Sequence, residues 1–101
     1  DITTQPILKF PAVRRDLALV INKTVKYAQI EELAFKTEKK LLRAVNLFDV
    51  YEGDQLPDGK RSYAISFIIR DDQKTLTDKQ VDKIMGRIVK ALENELNAHL
   101  R

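Results

Sequence analysis

Apolar and polar positions alternate with a period of two along three stretches of this chain and recur with a helical period along two others. Over Val13 to Ile21, Leu17, Leu19 and Ile21 alternate with Asp16, Ala18 and Val20, which predicts a strand with one well-defined apolar side. Asn22-Lys23-Thr24 breaks it. From about Lys26 to Lys39, Tyr27, Ile30, Leu33, Ala34 and Thr37 fall on one stripe. Glu31, Glu32, Lys36 and Lys40 fall on other faces, so an amphipathic helix is expected here. Phe35 lies off the stripe and reads as a partly exposed aromatic. No Gly or Asn marks where this helix stops.

A second strand is expected over Leu42 to Glu52 and a third over Lys60 to Arg70, joined by the turn-rich loop Gly53-Asp54-Gln55-Leu56-Pro57-Asp58-Gly59. Strict alternation puts Phe48 and Val50 on a core face with Tyr63, Ile65 and Phe67. It puts Asp49 and Tyr51 on the opposite face with Ser62, Ala64 and Ser66. Thr77 with Gln80 fits a capping box, and Asp78 adds favourable charge to the first turn of the helix that follows. Val81, Ile84, Met85, Ile88, Leu92 and Leu96 form its apolar stripe, while Gly86, inside it, suggests a close helix–sheet approach. Ala98 to Arg101 reads as a short terminal strand. The resulting order, β-α-β-β-α-β, is that of an α+β, ferredoxin-like split sandwich: a four-stranded antiparallel sheet with both helices on one face. The other face is left open.

At 101 residues the chain suits one domain, taken as 10–101 behind a polar lead-in linker over 1–9. With 44% hydrophobic and 33% charged residues, the composition is that of a globular domain rather than a disordered segment. The longest apolar run, Leu17 to Ile21, is strand-sized, so no membrane span is expected. The only methionine is Met85, and the chain is accordingly expected to be a portion of a longer one. The lack of cysteine excludes disulfides and thiolate metal sites and suits a cytoplasmic location. A net charge of +3 allows RNA binding but makes the electrostatic contribution small.

The candidate chemistry of an enzyme is thin. His99 is the single histidine and has no neighbouring nucleophile or carboxylate motif. Asp71-Asp72 lies in a turn, and Asp78 with Asp82 is accounted for by the helix dipole and solubility. Gly53 and Gly59 flank a hairpin instead of opening a helix, so no phosphate-cradling loop is present. The open sheet face offers more. Arg14, Asp16, Ala18, Asp49, Tyr51, Ser62 and Ala64 are expected on it, and RNA readers with this strand order stack unpaired bases on such a surface. A carboxylate there normally repels RNA. Asp49 has two readings: it accepts the N1–H and N2–H donors of a guanine, or it pairs with Arg14 or Arg61 as an exposed ion pair. A ferredoxin-like regulatory or protein-interaction module is the competing assignment for the face as a whole.

Five motifs in order resemble one family. They are Phe10-Pro11-Ala12-Val13-Arg14-Arg15-Asp16-Leu17-Ala18, Asn46-Leu47-Phe48-Asp49-Val50-Tyr51, Gly59-Lys60-Arg61-Ser62, Lys74-Thr75-Leu76-Thr77-Asp78 and Ala98-His99-Leu100-Arg101. Together they resemble the ferredoxin-fold anticodon-binding domain that ends the β subunit of bacterial phenylalanyl-tRNA synthetases. The resemblance implies a non-catalytic part of an (αβ)2 ligase that charges tRNA(Phe) using ATP and Mg2+, with the catalytic site in the α subunit. It also implies that Asp49, Tyr51, Ser62 and Ala18 meet the anticodon, whose first base is guanine, and so favours the guanine reading of Asp49. By position, Arg14, Arg15 and Arg61 are expected at phosphates. Arg61 and Tyr63 depart from the family's usual Lys and aliphatic residue, and Thr37 to Arg43 lacks a glycine turn.

Overall fold

The computed structural model describes residues 10–101, so the linker expected over 1–9 lies outside the described residues. The elements are β1 (Val13–Asn22), α1 (Tyr27–Thr37), β2 (Leu42–Tyr51), β3 (Lys60–Ile69), α2 (Asp78–Leu96) and β4 (His99–Leu100), the order read from the pattern. The strands form one antiparallel sheet in the order β2-β3-β1-β4. Leu19 and Ile21 of β1, Leu42 and Val45 of β2, and Tyr63, Ile65, Phe67 and Ile69 of β3 share one face. They form a single core with Ile30, Leu33 and Ala34 of α1 and Val81, Ile84, Met85, Ile88 and Leu92 of α2. Both helices therefore cover the same side, because each carries one apolar stripe and the sheet offers one apolar face to bury it.

The helix ends follow local chemistry. The Thr77 hydroxyl accepts from the Gln80 amide at 3.1 Å and the Gln80 side chain accepts from the Thr77 amide at 3.0 Å, completing the expected capping box. Asn97, in the left-handed region at φ 55°, ends α2 and turns the chain into β4. At the end of α1, where no glycine stands, Glu38 does the work. Its amide donates to the Ala34 carbonyl, its carboxylate accepts from the Leu41 amide at 3.3 Å, and Arg87 of α2 donates to the same carboxylate. That ties the α1–β2 junction to the second helix. Phe35 is half-buried and packs against the core. Gly86 is exposed, and a Cβ there would touch nothing, so it does not serve a close helix–sheet approach; α2 buries its other side.

The β2–β3 loop folds on itself through the Leu56 amide to the Gly53 carbonyl and the Lys60 amide to the Pro57 carbonyl, and it buries Leu56. Register along β2 differs from strict alternation. Leu47 stands opposite Ile65 but Asp49 stands opposite Ala64, so Phe48 is the extra residue of a β-bulge. The bulge reverses parity. Before it, Val45 and Leu47 pair with the core-facing Phe67 and Ile65; after it, Asp49 and Tyr51 pair with Ala64 and Ser62 on the open face. Phe48 and Val50 are 53% and 46% exposed, which corrects their expected place in the core. Phe48 leaves the core because the bulge removes it from the ladder, and Val50 sits on the edge strand toward the end of the sheet.

Candidate nucleic-acid interface

The open face is built in rows across the sheet. Asp49, Ala64 and Ala18 make one row, Tyr51, Ser62, Val20 and His99 the next, and Asn46, Ser66 and Asp16 the row on the other side. Residues directly opposite in an antiparallel pair project to the same side. Three strands thus bring the four expected base-contacting residues, Asp49, Tyr51, Ser62 and Ala18, into two adjacent rows. In those rows the middle strands supply Ala18, Ala64, Ser62 and Val20, so all but Val20 are small. Ser62 and Ser66 are buried, so the middle of this face lies low between the longer side chains of the edge strands, as a trough.

Asp49 has neither of the proposed ionic partners. Arg14 donates to Asp16 at 2.8 Å and Arg61 to Glu52 at 3.4 Å. One oxygen of the exposed Asp49 carboxylate accepts from the Val50 amide at 3.0 Å, and among the described residues it has no cation. A carboxylate has about four acceptor sites, so most of its capacity remains for a ligand. Paired donors of the kind a guanine edge presents match it.

Two aromatic residues, Phe48 and Tyr51, stand next to and two positions along from Asp49 on β2. The Tyr51 ring reaches Gly53 at its hydroxyl end, and the Arg101 guanidinium carbon lies 4.9 Å from its centroid. Phe48, raised by the bulge, lies under Arg14, whose guanidinium carbon is 5.7 Å from that ring. Both contacts are cation–π in geometry.

The three arginines expected at phosphates separate. Arg14 stands opposite Ile68 on the open face. Arg15 stands opposite the core-facing Phe67, and its guanidinium lies 3.6 Å from Asp78 and 3.9 Å from Asp82 on α2. Arg61 stands opposite the core-facing Ile21, where it donates to the Tyr63 hydroxyl at 3.2 Å; that hydroxyl donates to the Val25 carbonyl. The Tyr63 hydroxyl, foremost, holds the Arg61 guanidinium in its charged form above the usual arginine range. Arg15 and Arg61 are therefore on the helix side, bound to carboxylates, and not beside the trough. Strand parity assigns both there, since each is an even number of residues from a core position.

Phe48, Gly53 and Arg101 are the members of the site that sequence reasoning missed. Alternation misled for Phe48, because a bulge leaves no local sign in the pattern. Arg101 lies far from Tyr51 in sequence, and only the sheet order brings them together. Among the described residues no cluster of three or more His, Asp or Glu side chains could hold a metal ion, and no helix is long and apolar enough to cross a membrane.

A family model for the ferredoxin-fold anticodon binding domain matches residues 9–101. The chain is 57% identical over 100 residues, 99% of its length, to a phenylalanine–tRNA ligase β subunit of Bacteroides thetaiotaomicron. It is 59% identical over 93 residues, 92% of its length, to one of Porphyromonas gingivalis, and 42% identical over the same share to one of Clostridium acetobutylicum. It spans only 11–12% of the length of these relatives.

Proposed function

This chain belongs to the ferredoxin-fold anticodon-binding domain family, and from that premise we propose that its open face reads the anticodon of tRNA(Phe). The observation that carries the reading is the Asp49 carboxylate, which among the described residues pairs with no cation and shares the open face with Tyr51, Ala18, Ala64 and Ser62. The Tyr51 ring takes the face of an unpaired base, a stack worth roughly 1–3 kcal/mol. The carboxylate accepts the N1–H and N2–H of guanine, the first base of that anticodon. Adenine and the pyrimidines lack this donor pair, so the acid that repels phosphate acts as the specificity element. Ser62 lines the floor beneath the base, and Ala18 keeps the floor low enough for it to lie flat.

The similarity to phenylalanine–tRNA ligase β subunits supports the wider setting. In it, the domain serves an (αβ)2 synthetase whose α subunit aminoacylates tRNA with phenylalanine, using ATP and Mg2+, in the cytoplasm. None of this chain's residues is assigned to the chemical step. The rest of the synthetase holds the tRNA, so a modest contact here gains from the high effective concentration of the anticodon.

Titration of the chain with a hairpin RNA carrying the phenylalanine anticodon tests the proposal. Asp49→Ala should weaken binding about tenfold or more, the range for losing charged-group hydrogen bonds. Replacing the first anticodon guanine by adenine should weaken wild type comparably and the variant hardly at all. A variant that keeps full discrimination between the two hairpins removes Asp49 as the reader. Absence of RNA binding together with binding to the remainder of a synthetase would favour a protein-interaction face.

A further inference from the structure

We propose that Arg101 supplies the second wall of the base site, so that the base read by Asp49 is held between the Tyr51 ring and the Arg101 guanidinium. The proposal rests on the RNA reading above and adds a residue to it. β4 pairs Leu100 with Leu19 and His99 with Val20, and the Arg101 amide donates to the Ala18 carbonyl at 2.8 Å. The ladder thus continues one residue further, and Arg101 projects on the open face in the row of Ala18, Ala64 and Asp49.

β2 and β4 are the two edges of the sheet, three strand spacings or roughly 14 Å apart. Even so, the Arg101 guanidinium carbon reaches to 4.9 Å from the Tyr51 centroid. To meet, the two side chains reach toward each other across β1 and β3 on the open face that carries Ala18, Ala64 and Ser62, while the hydroxyl end of the Tyr51 ring lies against Gly53.

The other six arginines bear out a distinction. Arg14, Arg15, Arg43, Arg61, Arg70 and Arg87 each lie within salt-bridge distance of a carboxylate. Among the described residues Arg101 alone has none and is set on an aromatic ring instead. Its backbone is anchored beside β1, while among the described residues its exposed side chain has only the ring to leave. A base of about 3.5 Å thickness enters by opening the pair by one layer, exchanging one stacked contact for two. The flat guanidinium suits this place, and an ammonium does not.

The experiment compares Arg101→Ala and Arg101→Lys in this chain, titrated with the phenylalanine-anticodon hairpin at low and high salt. The backbone bonds of β4 survive both changes, and circular dichroism confirms the fold. Both variants should bind about three- to tenfold more weakly than wild type, and the loss should persist at high salt, because stacking is not screened as phosphate attraction is. Discrimination of guanine from adenine should remain. A lysine variant equal to wild type, or a loss that vanishes at high salt, would reduce Arg101 to a phosphate contact. An alanine variant that binds equally or more tightly would make it a competitor of the base, and the sandwich would be wrong. Asp49→Ala and Tyr51→Ala run alongside. If these lose binding and the Arg101 variants do not, only the second wall fails; if none loses binding, the RNA reading itself fails.

Discussion

A Cβ built on Gly53 would stand 2.4 Å from the Tyr51 hydroxyl oxygen and 2.7 Å from its Cζ. Gly53 is thus a glycine for the sake of its neighbour's ring and not for its own backbone, which does not lie in the left-handed region. Gly53→Ala should displace the Tyr51 ring while leaving stability nearly unchanged, since Gly53 is exposed and the atoms it would push are the far end of a side chain. The measurement is RNA-hairpin affinity, expected to fall toward that of Tyr51→Ala, with thermal unfolding as the control. An unaltered affinity would mean the ring has room to keep its stacking position.

The bulge at Phe48 separates two phenylalanines that look alike in sequence. Phe67→Ala should cost about 3–5 kcal/mol, because that ring is fully buried between sheet and helices. Phe48→Ala should cost less than about 1 kcal/mol, because its half-exposed ring contributes mainly a surface contact to Arg14. Denaturant unfolding of the two variants checks both values, and a large loss for Phe48→Ala would show that the bulge is not as described.

The arginines should divide by face when binding is measured against salt. Arg14→Ala should reduce the salt dependence of RNA binding by about 0.7 in slope, one single-strand phosphate's share. Arg15→Ala and Arg61→Ala should leave the slope unchanged, because their guanidinium groups lie on the helix side with Asp78, Asp82 and Glu52. Their ion pairs are exposed on at least one side, so neither loss should lower stability much.

Tyr27 provides a test in alkaline solution. Its hydroxyl donates to the Val45 carbonyl at 2.9 Å, joining α1 to β2. Burial, with Glu31 nearby, pushes the Tyr27 phenol from an ordinary 10.0 up to about 12. A group whose folded pKa is raised contributes stability that is whole below its unfolded value and disappears as pH climbs through the folded one. Stability should therefore decline between about pH 10 and 12, and Tyr27→Phe should flatten the decline over that window. Unfolding midpoints measured from pH 9 to 12 provide the comparison; parallel curves would reject the assignment.

Thr77 should behave as a helix cap in isolation from the site. Thr77→Ala removes the acceptor for the Gln80 amide and should cost about 1 kcal/mol, with RNA affinity unchanged. Thermal unfolding and the hairpin titration measure the two effects separately.

Periodicity alone was enough for the six elements, their order and most of the core, since burial of an amphipathic stripe is a local property of sequence. Leu17, Leu19 and Ile21, the α2 stripe and the Thr77 cap all lie where side-chain spacing and capping chemistry require them. The same alternation assigned Asp49, Tyr51, Ser62 and Ala18 to the uncovered face, and the structure brings them together. What tertiary structure decided was of a different kind. The bulge at Phe48 depends on how β2 pairs with β3, a register that no single strand contains. Which carboxylates Arg15 and Arg61 meet on the helix side, where parity already puts them, depends on α2 and on the residue that follows β2. The meeting of Tyr51 with Arg101 follows from the sheet order β2-β3-β1-β4, which sets two edge residues across β1 and β3 from each other. Local pattern specifies which face a side chain takes while the ladder is regular. Long-range pairing specifies its neighbours, because those are chosen by backbone hydrogen bonds between segments far apart in the chain.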